Sequence, residues 1–234
     1  MARILIVFAH PEIKSFNGSL LRFAVRALEQ HGHTVETSEL FQMGFNPVSG
    51  PHDFDHPVDK EYFSYSEEQK RAVSQTSFAP DVAVEQDKVS RADVVIFHFP
   101  LWWFSMPGIM KGWVDRVFAH GYAYGGGRWF DDGPFAGKRA MLIVSTGGAR
   151  AAYGEHGLQG DIDQILWPIH HGILRFTGFD VLPPFVIYGD EVGEPEKVEA
   201  RLAARLARLL MEGPLQFPSV HDYDDQLRRK GTGV

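Results

Sequence analysis

The 234-residue chain contains no cysteine. That excludes a disulfide framework, a cysteine-ligated iron–sulfur cluster and thiol catalysis. Base is not in surplus: 23 Lys and Arg stand against 30 Asp and Glu, a net charge of −7. Nucleic acid is therefore not expected as a partner, because binding it depends on neutralising phosphates. The stretch Val94 to Met110 lacks Asp, Glu, Lys and Arg, but it is too short for a bilayer span and carries two prolines. No membrane insertion is expected. Only Arg3 precedes a short apolar run, too little for a signal-peptide core, and the expected location is cytoplasmic. No G-x-G-x-x-G follows the first apolar run and no Walker loop occurs, so NAD held in the ordinary Rossmann manner is not expected. Internal repeats and low-complexity tracts are also missing.

What is present alternates. Ile4 to Ala9, His33 to Leu40, Val94 to Phe99, Arg139 to Thr146 and Val181 to Tyr188 read as five short strands, several of them apolar without alternation, as strands covered on both faces are. Between and after them lie helical patterns at Asn17 to His31, Pro80 to Arg91, Pro107 to Phe118, Asp161 to Phe176 and Glu196 to Met211, with a short helix near Glu67 to Val73. Pro168 should kink or break the fourth of these, and Pro100 should stop the third strand. The pattern predicts one doubly wound α/β domain, a five-stranded parallel sheet in the order 2-1-3-4-5. The domain is expected to occupy residues 1–213, with 214–234 as an extension whose end, from His221 through Arg228-Arg229-Lys230, frays.

In that order ligands bind at the carboxyl ends of the first and third strands. Two loops fall there. One, His10 to Asn17, puts Ser15, Phe16 and Asn17 at a helix N-terminus, where free amides and the dipole attract a phosphate; capping of the helix by Ser15 or Asn17 explains the same residues. The other, Pro100-Leu101-Trp102-Trp103-Phe104, holds three consecutive aromatic rings where a loop should be polar. Thr146-Gly147-Gly148 follows the fourth strand on the same edge, and its glycines allow close approach to a planar ring. A phosphate end, an aromatic slot and a glycine edge together describe a flavin site.

These residues resemble the flavodoxin-like NAD(P)H:quinone oxidoreductases, the DT-diaphorase-like family, over about residues 3 to 220. The likeness is carried by Ala9-His10 with Ser15-Phe16-Asn17, Phe45-Asn46-Pro47, Pro80-Asp81, Glu85-Gln86, Phe99-Pro100-Leu101 with Trp103-Phe104, and Lys111-Gly112-Trp113. It continues through Gly133-Pro134-Phe135, Thr146-Gly147-Gly148, Ile165-Leu166-Trp167-Pro168-Ile169 and Pro214-Leu215. The resemblance implies FAD rather than FMN, bound in a homodimer, and two-electron reduction of a quinone by NADH or NADPH. It also implies a ping-pong relay in which the quinone takes the place the nicotinamide has left. By the same resemblance His10, Phe16 and Asn17 hold the FAD diphosphate, with Arg201 nearest to an adenine-side arginine. Leu101, Trp103 and Phe104 lie along the ring, and Thr146, Gly147, Gly148 and Tyr153 line its pyrimidine side. Trp103, Phe104, Tyr124, Gly126, Trp129 and Phe176 line the substrate slot, Tyr124 and Phe176 being given by the partner subunit.

The chain departs from the family at informative points. The family's histidine six residues after Tyr153 is Gln159 here, which donates a hydrogen bond but supplies no proton near neutral pH. His156 is the alternative for that role. Trp102 stands for a glutamine, Ser64 for another near the flavin, and Gly126 for a pocket tyrosine, which opens the pocket to bulkier acceptors. Two rival readings follow: a flavin-binding ancillary regulatory subunit of a potassium-efflux transporter, and an FMN-dependent azo- or nitroreductase. His98, inside an apolar strand, reads as a satisfied core residue, and His170-His171 as ordinary packing or surface positions rather than a metal site.

Overall fold

A sheet whose central strands are buried on both faces carries the molecule in the computed structural model, which describes residues 1–56 and 61–231. Its strands are β1 (Arg3–Phe8), β2 (Thr34–Glu39), β3 (Val94–Pro100), β4 (Arg139–Ser145), β5 (Asp180–Val181) and β6 (Phe185–Ile187). They run parallel in the order β2-β1-β3-β4-β5, with β6 also on β4. The helices are α1 (Phe16–Gln30), α2 (Tyr65–Gln75), α3 (Pro80–Arg91), α4 (Gly108–Val117), α5 (Ile162–Ile169) and α6 (Pro195–Leu206).

Alternation of side chains along each strand splits the core into two layers. Ile4, Ile6, Phe8, Ile96 and Ile143 meet Leu20, Ala24 and Leu28 of α1 and Val198, Leu202 and Leu206 of α6. Leu5, Val7, Phe97, Phe99 and Leu142 meet Val89 of α3, Met110 and Trp113 of α4, and Leu166 of α5. Each fully buried side chain of this kind contributes roughly 1.5–3 kcal/mol. The expected strand order is therefore observed, and its reversal at β1/β3 puts three loops on one edge.

Prolines account for most differences from the expected elements. The single strand at Val181 to Tyr188 is two pieces, because Pro183 and Pro184 cannot donate to the ladder that Leu182 still reaches through Ala140 at 2.8 Å. Pro100 ends β3 from inside it, paired with Ser145 beyond the point where β1 stops, so its missing N–H costs no ladder bond on that side. Pro168 does not break its helix: the chain runs on into a widened turn over His170–Arg175. α6 stops at Leu206, short of Met211.

The C-terminal segment is better anchored than a frayed end. Leu215 N donates to Val181 O at 2.7 Å, and Asp131 accepts from Ser219 Oγ at 3.0 Å and Val220 N at 2.6 Å. Beyond His221, Tyr223 bridges to Arg229 and Lys230 N donates to Asp222 O at 2.8 Å. Residues 232–234 of the expected extension lie outside the described residues.

Candidate active site

Three strand ends build the site. After β1 the chain makes a tight loop, in which His10 Nδ1 lies 3.0 Å from Ser15 Oγ and Glu12 Oε1 accepts from Lys14 N at 2.7 Å. Ser15 caps α1, its Oγ accepting from Gly18 N at 3.2 Å. The backbone N–H groups of Phe16 and Asn17 keep no acceptor among the described residues. The capping and phosphate readings of Ser15-Phe16-Asn17 are thus compatible: Ser15 is used as a cap, and the next two amides stay open at the positive end of the helix dipole.

After β3, Trp102 and Ser105 exchange hydrogen bonds at 3.0 Å each way, closing a two-residue turn over Trp103 and Phe104. Both residues have positive φ, 50° and 58°. Turns of this shape ordinarily use Asn-Gly, and each bulky side chain forced into the left-handed region costs about 1–2 kcal/mol. Trp103 is 97% exposed and Phe104 half exposed. Strain combined with an exposed aromatic face is what a ligand platform looks like before it is covered. Leu101 N donates to Ser145 O at 2.8 Å, tying this turn to β4. His10 reaches it from the first loop, its ring 6.5 Å from that of Trp102.

After β4, Thr146 N donates to Ile187 O at 2.8 Å and Thr146 Oγ1 to Gly148 O at 2.9 Å. A Cβ on Gly148 would stand 3.0 Å from the Tyr153 ring, whereas Gly147 faces open space. Gly189 packs on this loop so closely that a Cβ there would meet Gly147 O at 2.3 Å. The half-buried Tyr153 lies 5.8 Å from the ring of Tyr188. Gln159 is half-buried and anchored by its backbone to Ala152 O at 2.9 Å, while His156 is exposed.

The loops are joined underneath. Asn17, 7% exposed, receives hydrogen bonds on Oδ1 from Ser145 Oγ at 3.0 Å and His98 Nε2 at 3.3 Å. His98 is only half satisfied, since its Nδ1 is buried with no partner among the described residues. Burial, helped by the nearby His10, pushes its pKa down to about 3, so the ring is neutral.

The remaining expected residues gather elsewhere. Tyr124 and Phe176, ring centroids 5.7 Å apart, line a cleft of about 480 Å³ with Ser49, Tyr65, Lys111 and Asp115. Trp129 lies 6.4 Å from Phe176, and Gly126, at φ 63°, has open space where a side chain would project. Among the described ring contacts none joins Trp103 or Phe104 to Tyr124, Trp129 or Phe176. The aromatic rings therefore fall into two separate groups, one at the Trp103–Phe104 turn and one around Tyr124, Trp129 and Phe176. Arg201 stacks over Phe185 at 4.8 Å and pairs with Glu191, in a cleft with Arg150, Arg205 and Arg208 that includes none of the His10–Asn17 loop. His170 is buried with its pKa pushed down to about 4. No group of three potential metal ligands occurs among the described residues.

Sequence reasoning missed Gly18, Ser145 and Gly189. Gly18 had a visible signal, a glycine in the first turn of a helix. The others had none, because their importance arises from neighbours distant in sequence.

Residues 2–211 match the family model described as flavodoxin-like fold. The human ribosyldihydronicotinamide dehydrogenase [quinone] is 42% identical over 217 residues, 91% of this chain and 94% of that protein. The rat NAD(P)H dehydrogenase [quinone] 1 is 42% identical over 219 residues, 92% of this chain and 80% of that protein. A Klebsiella pneumoniae crystal structure assigned as a quinone reductase superposes with a TM-score of 0.95 at 42% identity, covering 98% of this chain and 94% of the other.

Proposed function

The chain belongs to the flavodoxin-like family that includes these quinone dehydrogenases, and from that premise we propose that it is a flavin-dependent oxidoreductase passing two electrons from NADH or NADPH to a quinone. The observation that carries this reading is the strained Trp103-Phe104 turn, whose exposed rings lie on the same sheet edge as an open helix N-terminus. The residues fit a flavin nucleotide. The open amides of Phe16 and Asn17 suit its phosphate, the aromatic turn its flat apolar ring, and the Thr146-Gly147-Gly148 loop its polar edge.

A bound flavin supplies reversible acceptance of hydride, chemistry that no side chain of this chain offers. Around it, Asn17 and the first turn of α1 bind and orient the phosphate. Trp103 and Phe104 exclude water from one side of the ring. Tyr153, whose hydroxyl has no partner among the described residues, can donate a hydrogen bond toward negative charge developing at the pyrimidine side. Gln159 adds a donor but no titrating proton.

The finer reading is FAD, a homodimer and ping-pong turnover, with the domain at 1–213 and the extension at 214–234. The separation of the Trp103–Phe104 turn from the Tyr124–Phe176 cleft supports the dimer, since a second copy can bring the two half-sites together. Nicotinamide and quinone then use one slot in turn, the arrangement that ping-pong kinetics reports. The proposed location is cytoplasmic; no described helix is long and apolar enough to cross a membrane.

The test is the visible spectrum of the purified protein, with the released cofactor identified by mass, followed by NAD(P)H-driven menadione reduction. Yellow protein releasing FAD and turning over quinone is expected. Released FMN would move the reading to the azo- or nitroreductases. Bound FAD with scarcely any turnover would favour the ancillary regulatory role. Colourless protein that takes up neither flavin removes the proposal.

A further inference from the structure

His98 stands near the middle of β3 with no exposed surface, edge-on to Phe8 at 5.1 Å between ring centroids. The strand residues around it are Val94, Val95, Ile96, Phe97 and Phe99, so an imidazole there is an exception that needs a cause. Its two nitrogens differ sharply. Nε2 lies 3.3 Å from Asn17 Oδ1, whereas Nδ1 is buried and has no hydrogen-bond partner among the described residues.

That asymmetry selects the tautomer. A proton on Nδ1 would be a buried donor with no acceptor, a costlier fault than an unused lone pair. The proton therefore sits on Nε2 and is donated to Asn17 Oδ1. Ser145 Oγ donates to the same oxygen at 3.0 Å. Turned over, the Asn17 amide would set its own N–H groups against the His98 Nε2–H donor, so that bond fixes the orientation of Oδ1, and the Ser145 hydroxyl adds a second hydrogen bond to it. Its Nδ2 has no acceptor among the described residues and is not among the sealed, unpaired atoms. It belongs to the second residue of α1, in the first turn, where the backbone amides of Phe16 and Asn17 are also open.

We propose that His98 is a positioning residue, locking the Asn17 amide through Nε2–H so that Asn17 presents its N–H donors to the phosphate of a flavin nucleotide. The inference rests on the flavin reading above, because the flavin nucleotide brings that phosphate. His98 does not touch the ligand itself. Burial keeps the ring uncharged, so the donor does not change orientation around neutral pH.

The experiment titrates apoprotein with FAD, FMN and riboflavin, which lacks a phosphate, following quenching of flavin fluorescence. His98→Leu should weaken FAD and FMN binding about tenfold and leave riboflavin binding unchanged, the loss expected for one charge-assisted contact. His98→Gln, whose amide can donate to the same oxygen, should restore the affinity. Ser145→Ala removes the second donor to that oxygen and should repeat the phosphate-selective loss if the leucine variant does not fold. Long-range proton–nitrogen NMR on the wild type should find the His98 proton on Nε2. Undiminished FAD binding in both His98→Leu and Ser145→Ala, equal loss for riboflavin, or a proton on Nδ1 would each overturn the inference while leaving the flavin reading intact. Wild-type protein that binds no flavin overturns both.

Discussion

Gly18 and Ile13 are packed backbone to backbone: a Cβ on Gly18 would stand 2.0 Å from the Ile13 carbonyl oxygen. The opening loop thus folds down onto the first turn of α1, the turn that also carries the free amides of Phe16 and Asn17. Gly18→Ala must push the loop away. We expect a stability loss of about 1–3 kcal/mol, typical of overpacking, together with weaker flavin retention. Thermal unfolding of apo and flavin-loaded protein measures both, and an unchanged melting temperature with full retention would refute the assignment.

The aromatic turn carries strain that glycine would remove. Trp103→Gly relieves a left-handed non-glycine residue, worth about 1–2 kcal/mol, less the ~0.5–1 kcal/mol that glycine costs through the unfolded chain. Apoprotein stability should stay level or rise by up to about 1.5 kcal/mol, while turnover with a quinone falls through loss of the ring. Denaturant unfolding and steady-state kinetics on the same variant separate the two effects. A variant both less stable and fully active would contradict the platform role.

Tyr153 and Gln159 are tested as a pair. Tyr153→Phe should slow reduction of the bound flavin by NAD(P)H, by roughly 10-fold or more if the hydroxyl faces developing charge. Gln159→His should raise the rate, since imidazole can supply the proton that glutamine cannot. Stopped-flow absorbance reads the step directly. Equal rates in parent and both variants would discard this corner of the site.

Two histidines make the fold acid-sensitive. Burial holds His98 at about 3 and His170 at about 4, both below the ordinary 6.5. The unfolded chain therefore binds protons that the folded chain refuses, so stability is complete above about 6.5 and falls as pH drops toward those values. Each contributes a slope of about 1.4 kcal/mol per pH unit within its window. Urea unfolding at neutral pH and near pH 5 should show the loss, and His98→Gln should flatten the curve by about one histidine's share. A parallel curve in that variant would show that His98 takes up its proton as readily in the folded protein as in the unfolded chain.

The strand order and the sheet edge that bears the site were legible because β1, β3 and β4 are apolar runs whose burial on both faces admits few arrangements. The Trp102-Trp103-Phe104 loop was legible for a related reason: exposed aromatics in a connection break the ordinary pattern. Other features were not. Pro183-Pro184 divided a strand that hydrophobicity alone would have kept whole, and the tail was held by Asp131, a residue nearly ninety positions upstream.

By itself, the sequence determined composition, alternation and punctuation: an apolar core, a parallel sheet, and three loops of suggestive chemistry. Local rules suffice for these, since periodicity and proline act within a few residues. Only the tertiary structure decided which polar groups meet. It brought Asn17, His98 and Ser145 to one oxygen, pressed Gly189 against Gly147, and set Tyr124 and Phe176 apart from Trp103 and Phe104. Those contacts span 81 and 128 residues of chain for Asn17 alone, and no local preference encodes them. They exist because the sheet registers its strands, and the register decides which buried donor finds an acceptor.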